Sequence, residues 1–239
     1  MDQQRNILIT NDDGIESPGL RKLAEAAGRF GRVWVVAPDG QRSAMSHSYS
    51  WREDIRVWKR DYPVEGVTAY ACDGTPADCV RLGVLQLLPG KPDYVFAGIN
   101  SGYNISHDIQ YSATVGAVME AALWGVHAIA FSQGNVAYQD VVDRYLTEIM
   151  EECMKLPLEP GQVWNVNFPC CGLADCKGIR RDCTLSMDPF YTDHYEEVPA
   201  ETGVAYRLVP GRDWKGSEGT DLAAVIDNYI AVGKVTNLR

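Results

Sequence analysis

The sequence lacks any apolar stretch that approaches the roughly 20 residues needed to cross a bilayer as a helix. Residues 1–5 are polar and run directly into a predicted strand, so no secretory leader is indicated. Internal repeats and low-complexity tracts are also lacking. From these absences we expect a cytoplasmic location and no membrane partner.

Positive charge is scarce in this chain of 239 residues, which has 22 Lys and Arg residues against 32 Asp and Glu residues. The resulting net charge of −10 disfavours binding to the backbone of a nucleic-acid polymer. A small anionic substrate is still compatible with this charge, because a bound cation reverses the electrostatic field within one pocket.

The usual cysteine patterns of zinc sites are missing as well. Seven cysteines are spread irregularly, and the spacing of Cys170, Cys171, Cys176 and Cys183 matches no zinc ribbon or finger. An odd number of cysteines without a leader predicts reduced thiols. A metal site at this cluster is therefore the less favoured interpretation.

Strand and helix signals alternate over the first two thirds of the chain. Asn6–Thr10 is a short apolar run typical of a buried strand, and Ser17 and Pro18 begin a helix as its N-cap and first residue. Residues 33–37 form the next strand, which completes a strand–helix–strand unit with parallel strands. Further strands are predicted at residues 94–98, 128–132 and 163–168, and further helices at residues 78–88, 112–125 and 140–155.

This alternation predicts an α/β fold with a mostly parallel sheet, in which residues 1–168 form the core. Residues 46–72 alternate polar with aromatic and β-branched side chains, which predicts antiparallel hairpins that project from the sheet. Residues 169–239 form a predicted C-terminal extension, because most of this segment is rich in Gly, Pro, Cys and charge. Within it, residues 222–235 fit either a helix or a strand.

Two adjacent carboxylates, Asp12 and Asp13, follow the first predicted strand. Ligands of an open parallel sheet bind beyond the carboxyl ends of its strands. Adjacent carboxylates repel each other unless a cation lies between them, and Gly14 allows the chain to turn so that both converge. Oxygen ligands of this kind suit Mg²⁺, Mn²⁺ or Ca²⁺. A simple turn rich in Asn, Asp and Gly is the structural alternative.

Other polar groups follow the neighbouring strands at the same edge. A loop with Arg42 and several hydroxyls comes after the second strand, and Asn100 and Asn104 come after a later one. Ser112 and Thr114 begin a helix, whose free N–H groups and hydroxyls suit an anion. The structural alternative for the Arg42 segment is a solvated loop, and for the two asparagines it is a turn. For Ser112 the alternative is an ordinary N-cap. Since all of these groups meet at one edge, a functional site is the favoured interpretation.

Several of these segments resemble the SurE family, the stationary-phase survival proteins with nucleotidase activity. The resemblance runs in the same order over nearly the full length, and its Asn-Asp-Asp-Gly and Gly-Ile-Asn elements are highly specific. The matching segments are residues 9–14 (ITNDDG), 17–19 (SPG), 37–38 (AP), 41–43 (QRS), 74–80 (GTPADCV), 98–102 (GINSG), 104 (N), 219–221 (GTD) and 224–225 (AV).

The resemblance implies a site that binds one divalent metal ion per subunit, Mg²⁺, Mn²⁺ or Ca²⁺. Its ligands would be Asp12, Asp13, Ser43 and Asn100. Asp12 and Asp13 would also be the catalytic residues, with one of them as the proton acceptor.

The resemblance further implies a 5′-nucleotidase that hydrolyses nucleoside 5′-monophosphates, with 3′-monophosphates as further candidate substrates. Asn104, Ser112 and Thr114 would lie near the substrate phosphate. The implied fold is a Rossmann-like three-layer α/β/α core with a projecting β-hairpin. A C-terminal segment that contains strands would assemble the chain into a homodimer or homotetramer.

Three residues depart from the family pattern at the site. Ala44 stands where the family often has Gly, Tyr103 where Pro is common, and Ala113 where a Ser-Gly-Thr element is common. None of these changes removes a proposed ligand, but all three bear on the shape of the pocket mouth and hence on substrate preference.

Other functions fit the residues less well or stay open. A haloacid-dehalogenase-like phosphatase would have Asp-x-Asp after the first strand, whereas the two acids here are adjacent. A dinucleotide oxidoreductase would have Gly-x-Gly-x-x-Gly there. A non-catalytic module that binds a nucleotide or a divalent cation remains an alternative, as does a mainly exopolyphosphatase-like activity. His47 and His107 are taken as solvated loop residues, and His127 as structural.

Overall fold

A nine-stranded sheet forms the centre of the computed structural model, which describes residues 5–134, 137 and 139–237. The polar segment at residues 1–4 lies outside the described part. The strands are β1 (Asn6–Thr10), β2 (Arg32–Pro38), β3 (Val57–Arg60), β4 (Thr68–Cys72), β5 (Tyr94–Ser101), β6 (His127–Gln133), β7 (Gln162–Phe168), β8 (Ile179–Arg180), β9 (His194–Val198), β10 (Ala205–Val209) and β11 (Ile230–Thr236). The helices are α1 (Pro18–Ala27), α2 (Pro76–Leu82), α3 (Ala113–Leu123), α4 (Gln139–Lys155) and α5 (Asp221–Ile226).

The order of strands in the main sheet is β3-β4-β2-β1-β5-β6-β7-β11-β8. Neighbours from β4 to β7 pair in parallel, whereas β3 and β11 are antiparallel to β4 and β7. The carboxyl ends of the six central parallel strands therefore lie along one edge, and the predicted mostly parallel sheet is confirmed.

Helices cover both faces of the sheet, as its alternating side chains require. Ile7 and Ile9 of β1 pack with Leu20 of α1 in a buried cluster that also includes residues of α4. Leu8 points to the opposite face and belongs to a second cluster with Val115 of α3. The predicted three-layer α/β/α architecture is confirmed.

The hairpin predicted within residues 46–72 is antiparallel, but it does not project from the sheet. Its strand β4 pairs in parallel with β2, from Trp34 opposite Thr68 to Pro38 opposite Cys72. This placement corrects the prediction: β4 covers the open backbone edge of β2, and β3 becomes the edge strand. The separate two-stranded sheet is formed by β9 and β10 in the C-terminal segment.

The segment after residue 168 also returns to the main sheet. Strand β11 pairs antiparallel with β7 from Ala231 opposite Asn167 to Thr236 opposite Gln162, and α5 precedes it. The stretch predicted as helix or strand therefore contains both. A division at residue 168 does not follow the sheet, because the edge of β7 obtains its hydrogen-bonding partner from the end of the chain.

None of the helices within the described residues combines the length and the apolar composition that a bilayer crossing requires.

Candidate active site

The turn after β1 is closed by Asn11 rather than by the two acids that follow it. The Asn11 amide oxygen accepts from the Gly14 N–H at 3.2 Å, and its amide nitrogen donates to the Gly14 carbonyl and to Ser17 Oγ at 3.1 and 2.7 Å. Gly14 has a φ of 100°, a conformation that strongly favours glycine. Since Asn11 makes the turn, Asp12 and Asp13 remain available for other contacts.

Asp12 is a buried carboxylate at the end of β1, with 3% of its surface exposed. The Thr114 hydroxyl donates to Asp12 Oδ1 at 2.5 Å. Burial raises the pKa of Asp12 to about 6; the Thr114 hydroxyl opposes this shift and the Asp13 charge adds to it. A positive charge beside Asp12 would offset the cost of burying its carboxylate.

Asp13 connects the loops that follow three different strands. Its Oδ1 accepts from Gln41 Nε2 at 3.2 Å, and its Oδ2 accepts from the Ser101 N–H at 3.1 Å. The same Gln41 nitrogen donates to Ser43 Oγ at 2.7 Å. Oxygens of Asp13 and Ser43 therefore both lie within hydrogen-bond distance of Gln41 Nε2.

A cleft of about 560 Å³ opens where these loops meet. Five of the predicted site residues line it, and they come from four separate loops and strand ends. These five are Asp12, Ser43, Asn100, Asn104 and Ser112. A larger hollow of about 710 Å³ lies around Arg180 and Trp214, but it shares no residue with this cleft.

The two asparagines use their amide nitrogens within the protein. Asn100 Nδ2 donates to the Gly102 carbonyl at 3.0 Å, so its amide oxygen is the atom suited to a cation. Asn104 Nδ2 donates to Ser132 Oγ at 2.8 Å, and the Asn104 N–H donates to Asn167 Oδ1 at 2.9 Å. Asn104 is thus held firmly in the cleft wall, with its amide nitrogen already engaged.

The start of α3 faces the cleft through Ser112, whose Oγ accepts from the Val115 N–H at 3.1 Å. Thr114 is fully buried and does not line the cleft. Its hydroxyl contacts the Asp12 carboxylate instead, so Thr114 lies on the side of Asp12 that faces away from the cleft. The Ser112 side chain occupies only one of the N–H groups in the first turn of α3. The other N–H groups can bind an anion, so the N-cap and the anion site expected here are compatible.

The residues that depart from the family pattern have clear structural settings. Ala44 has a φ of 59°, in the left-handed region that favours the glycine common in the family. The Tyr103 hydroxyl accepts from the Cys170 N–H at 2.7 Å, and Tyr191 Oη donates to the Tyr103 carbonyl at 3.1 Å. Tyr103 therefore joins the cleft to the cysteine-rich segment.

Metal sites built from acids, histidines and cysteines alone are not formed by the described residues. Within residues 5–134, 137 and 139–237, no three His, Cys, Asp or Glu side chains come together as a possible metal-binding group. The predicted set has only two carboxylates, so a metal there would depend on the Ser43 hydroxyl and the Asn100 amide.

Part of the cleft wall was missed by the sequence interpretation. Tyr191 and Asp193 line the cleft from the C-terminal segment, which shows no clear periodicity. They are brought there because Asp108 Oδ2 accepts from the N–H groups of Phe190 and Tyr191 at 3.1 and 3.0 Å. No local signal in the sequence indicates a contact between segments about 80 residues apart. The exposed Tyr111 also lines the cleft.

The position of His47 in a loop suggested a solvated side chain, but the structure shows it in contact with Glu120. Its Nε2 lies 2.8 Å from Glu120 Oε2, and Arg81 Nη1 donates to the other oxygen of Glu120 at 2.9 Å. Burial alone would raise the pKa of Glu120, but hydrogen bonds from His47, Trp124 and Arg81 hold it below its usual value. This contact holds the loop that carries Ser43 against α3.

Comparisons with known proteins agree with these observations. The family model described as "Survival protein SurE" matches residues 7–190. "5′-nucleotidase SurE" of Synechococcus sp. (strain JA-3-3Ab) is 38% identical over 237 residues, which cover 95% of this chain and 90% of that protein. The protein of the same name from Clostridium botulinum (strain Loch Maree / Type A3) is 37% identical over 233 residues, with 95% and 91% covered.

A solved structure extends the similarity to three dimensions. The crystal structure of the SurE protein from Aquifex aeolicus superposes with a TM-score of 0.82 and 33% sequence identity, covering 98% of this chain and 94% of that one. With its fold, its strand-end motifs and its relatives in agreement, this chain belongs to the SurE family.

Proposed function

We propose that the chain is a metal-dependent phosphomonoesterase that hydrolyses nucleoside 5′-monophosphates, and 3′-monophosphates as further substrates, to a nucleoside and phosphate. The observation that carries the proposal is the convergence of Asp12, Ser43, Asn100 and Ser112 on one cleft. Relatives at 37–38% identity that carry the name 5′-nucleotidase support the same reaction.

The donor groups fit one hard divalent cation, such as Mg²⁺, Mn²⁺ or Ca²⁺. Asp12, Ser43 and Asn100 line the cleft and would supply a carboxylate, a hydroxyl and an amide oxygen, all of which are ligands of such ions. Asp13 does not line the cleft, but its carboxylate accepts from the same Gln41 nitrogen as Ser43 and would supply the second carboxylate. Burial raises the pKa of Asp12 to about 6, which supports a cation beside its carboxylate. When bound, the cation would neutralise charge on a phosphate oxygen and lower the pKa of a water molecule.

The chain's own residues would orient the phosphate and move the proton. The N-terminus of α3 at Ser112 offers N–H groups to the phosphate oxygens, which gain charge during phosphoryl transfer. Asn104 forms the adjoining wall, and Thr114 keeps the Asp12 carboxylate in one orientation. Asp12 or Asp13 accepts the proton of the attacking water, which approaches phosphorus in line with the leaving oxygen.

A phosphate-release assay tests the proposed reaction. We expect release from AMP and GMP with added Mn²⁺, and its loss when a chelator is present. Tight binding of AMP without phosphate release would contradict hydrolysis and favour a non-catalytic binding module. Release that a chelator leaves unchanged would contradict metal dependence. A trapped phospho-aspartate would favour a haloacid-dehalogenase-like phosphatase, which forms a covalent aspartyl intermediate.

We further propose that the chain forms a homodimer or homotetramer through its C-terminal segment. Tyr195, Tyr206 and Leu208 are 69%, 61% and 50% exposed on the β9–β10 hairpin. Tyr195 and Leu208 are opposite each other, so they share one face of the hairpin. An exposed apolar face of this kind is typical of a contact surface. The free cysteines of the described residues support the cytoplasmic location expected from the sequence.

A further inference from the structure

Two cysteines outside the candidate active site are in direct contact. Cys72 is the last residue of β4, and Cys79 is the fourth residue of α2. Their sulfur atoms are 3.0 Å apart, which exceeds the length of an S–S bond by about 1 Å. We propose that this pair is a dithiol that a hydroperoxide converts reversibly into a disulfide.

The local fold keeps the two sulfurs close to each other. The Thr75 hydroxyl accepts from the Asp78 N–H at 3.1 Å, and the Asp78 carboxylate accepts from the Thr75 N–H at 2.9 Å. This capping box fixes the start of α2, and Cys79 follows it directly. Cys72 is fixed by pairing of its strand with β2 on one side and with β3 on the other. Since both ends of the short connection are held, the two thiols stay within reach.

The two thiols differ in acidity, as the two steps of disulfide formation require. A hydrogen bond from the Cys79 thiol lowers the pKa of the Cys72 thiol, whereas burial raises the pKa of the Cys79 thiol. Cys72 is therefore the nucleophile, because the thiolate is the form that attacks an oxidant. Cys79 is the resolving thiol, which must lie beside the oxidised sulfur to form the disulfide.

The reaction balances with hydrogen peroxide as the oxidant. The Cys72 sulfur attacks one peroxide oxygen, the O–O bond breaks, and the other oxygen leaves as water with the thiol proton. The Cys79 sulfur then attacks the sulfenic acid at Cys72, the S–O bond breaks, and a second water leaves. The two sulfurs are thereby oxidised and the peroxide is reduced, and an added dithiol reverses the change.

The oxidant has a short route to this pair at the edge of the sheet. Both cysteines are 0% exposed, but Cys72 is opposite Val57 of the edge strand β3. This strand has four residues, of which three are exposed. A short, exposed edge strand opens locally more readily than the sheet interior, and such an opening admits a molecule as small as hydrogen peroxide.

The turn after Cys72 also supports the loop that carries Ser43. The Cys72 carbonyl accepts from the Asp39 N–H at 2.8 Å, and the Asp73 carbonyl accepts from Arg42 Nη2 at 3.3 Å. Closure of the S–S bond draws the sulfurs together by about 1 Å, so we expect the turn and this loop to shift. Hydrolysis of AMP should then slow, a consequence that rests on the proposed function.

Peptide mass spectrometry of the full chain tests the disulfide. Trypsin cuts after Arg60 and Arg81, so peptide 61–81 contains Cys72 and Cys79 and no other cysteine. After hydrogen peroxide, and then iodoacetamide under denaturing conditions, we expect this peptide to be about 2 Da lighter than its reduced form and to carry no alkyl group. Dithiothreitol should restore both thiols.

Two results would overturn the disulfide. One is a peptide 61–81 that still takes up two alkyl groups after exposure to hydrogen peroxide and to oxidised glutathione. The other is a peptide in which Cys72 becomes a sulfinic acid and Cys79 stays free, because Cys79 would then fail to act as the resolving thiol.

Two variants that each lack one buried cysteine test the effect on the site. C72A removes the nucleophile, whereas C153A removes a cysteine of α4 whose pKa burial raises to about 12. Peroxide should lower kcat/KM for AMP about threefold or more in the native chain and in C153A, and dithiothreitol should reverse the loss. C72A should keep its rate.

An equal loss of rate in C72A would overturn the proposed effect on the site, as would an unchanged rate in a native chain whose peptide 61–81 is fully oxidised. Absence of AMP hydrolysis in every reduced chain would overturn the proposed function instead. The mass of peptide 61–81 would still decide whether the disulfide forms.

Discussion

Two neighbouring carboxylates have different surroundings at the site. Asp12 is buried against Thr114, whereas Asp13 is half-buried and joins the Gln41 side chain to the backbone at Ser101. Asp13 is thus the more exposed to solvent of the two carboxylates. The two acids are therefore tested by different substitutions.

Replacement of Asp13 by Asn should abolish turnover while the fold is retained. The change keeps the size of the side chain but removes a charge that a cation requires, so we expect kcat/KM to fall by about 100-fold or more. Phosphate release from AMP measures the effect, and circular dichroism measures the fold. E16Q, an exposed acid of the same loop, is the control. A near-normal rate in D13N would refute the assignment.

A second prediction concerns Thr114, because its hydroxyl donates to Asp12 and its side chain does not line the cleft. T114V keeps the shape but leaves the buried carboxylate without its hydroxyl donor. We expect about a tenfold loss of kcat/KM and a destabilisation of about 1–3 kcal/mol, measured by kinetics and urea unfolding. T114S, which restores the donor, should recover most of both. Normal activity in T114V would show that this hydrogen bond does not orient Asp12.

At the scale of elements, helix α3 contacts the loop that carries Ser43. Gly116 lies one turn from Ser112, and a Cβ atom there would be 2.4 Å from the Ser46 carbonyl oxygen. Glu120, one turn further, is in contact with His47. The loop that carries Ser43 is therefore packed along a helix whose N-terminus faces the cleft.

Gly116→Ala should push this loop away from α3. The added methyl group clashes with backbone atoms, which cannot move aside as a flexible side chain would. We expect a loss of about 1–3 kcal/mol in the free energy of unfolding, together with weaker Mn²⁺ binding by calorimetry. Gly90→Ala is the control, because a Cβ there has nothing within 4 Å. Unchanged Mn²⁺ affinity in G116A would argue against a role of this packing at the site.

At the scale of the whole molecule, Glu120 links stability to pH. Its pKa is held below the usual value in the folded chain, so the unfolded chain binds a proton first as the pH falls. The ionised Glu120 therefore contributes its full stabilisation of the folded chain above about pH 4.5, the usual pKa of a glutamate. This stabilisation is lost as the pH falls through the lower pKa that Glu120 has in the folded chain.

E120Q should therefore be less stable than the native chain at pH 7 by roughly 2 kcal/mol, with a smaller difference at pH 4. Chemical denaturation at both values measures this. E151Q removes an exposed partner of Lys155 and should change stability little at either pH. A difference between E120Q and the native chain that stays the same from pH 7 to pH 4 would contradict the linkage.

Assembly is also a property of the whole molecule. Replacing Tyr195 and Leu208 together by Ser removes apolar area from one face of the β9–β10 hairpin, so we expect the oligomer to dissociate at micromolar concentration. Analytical ultracentrifugation measures the change. Glu196 points to the opposite face, so E196S should leave the mass unchanged. A native chain that sediments as a monomer would contradict the proposed assembly.

The sequence by itself determined the features that depend on short-range interactions. The apolar run of residues predicted strand β1. Capping side chains predicted the start of α1 at Pro18 and the start of α3 after Ser112. The acids after β1 were found because parallel strands direct their ends to one edge. Each of these signals is complete within a few neighbouring residues.

Only the tertiary structure decided which distant segments meet. It placed β4 beside β2 and β11 beside β7, because an open strand edge accepts whichever segment can reach it and pair with it. It turned Thr114 toward Asp12, and it brought Asp193 to the cleft wall through backbone contacts with Asp108. Such contacts depend on how the whole chain packs, and no local period or cap encodes them.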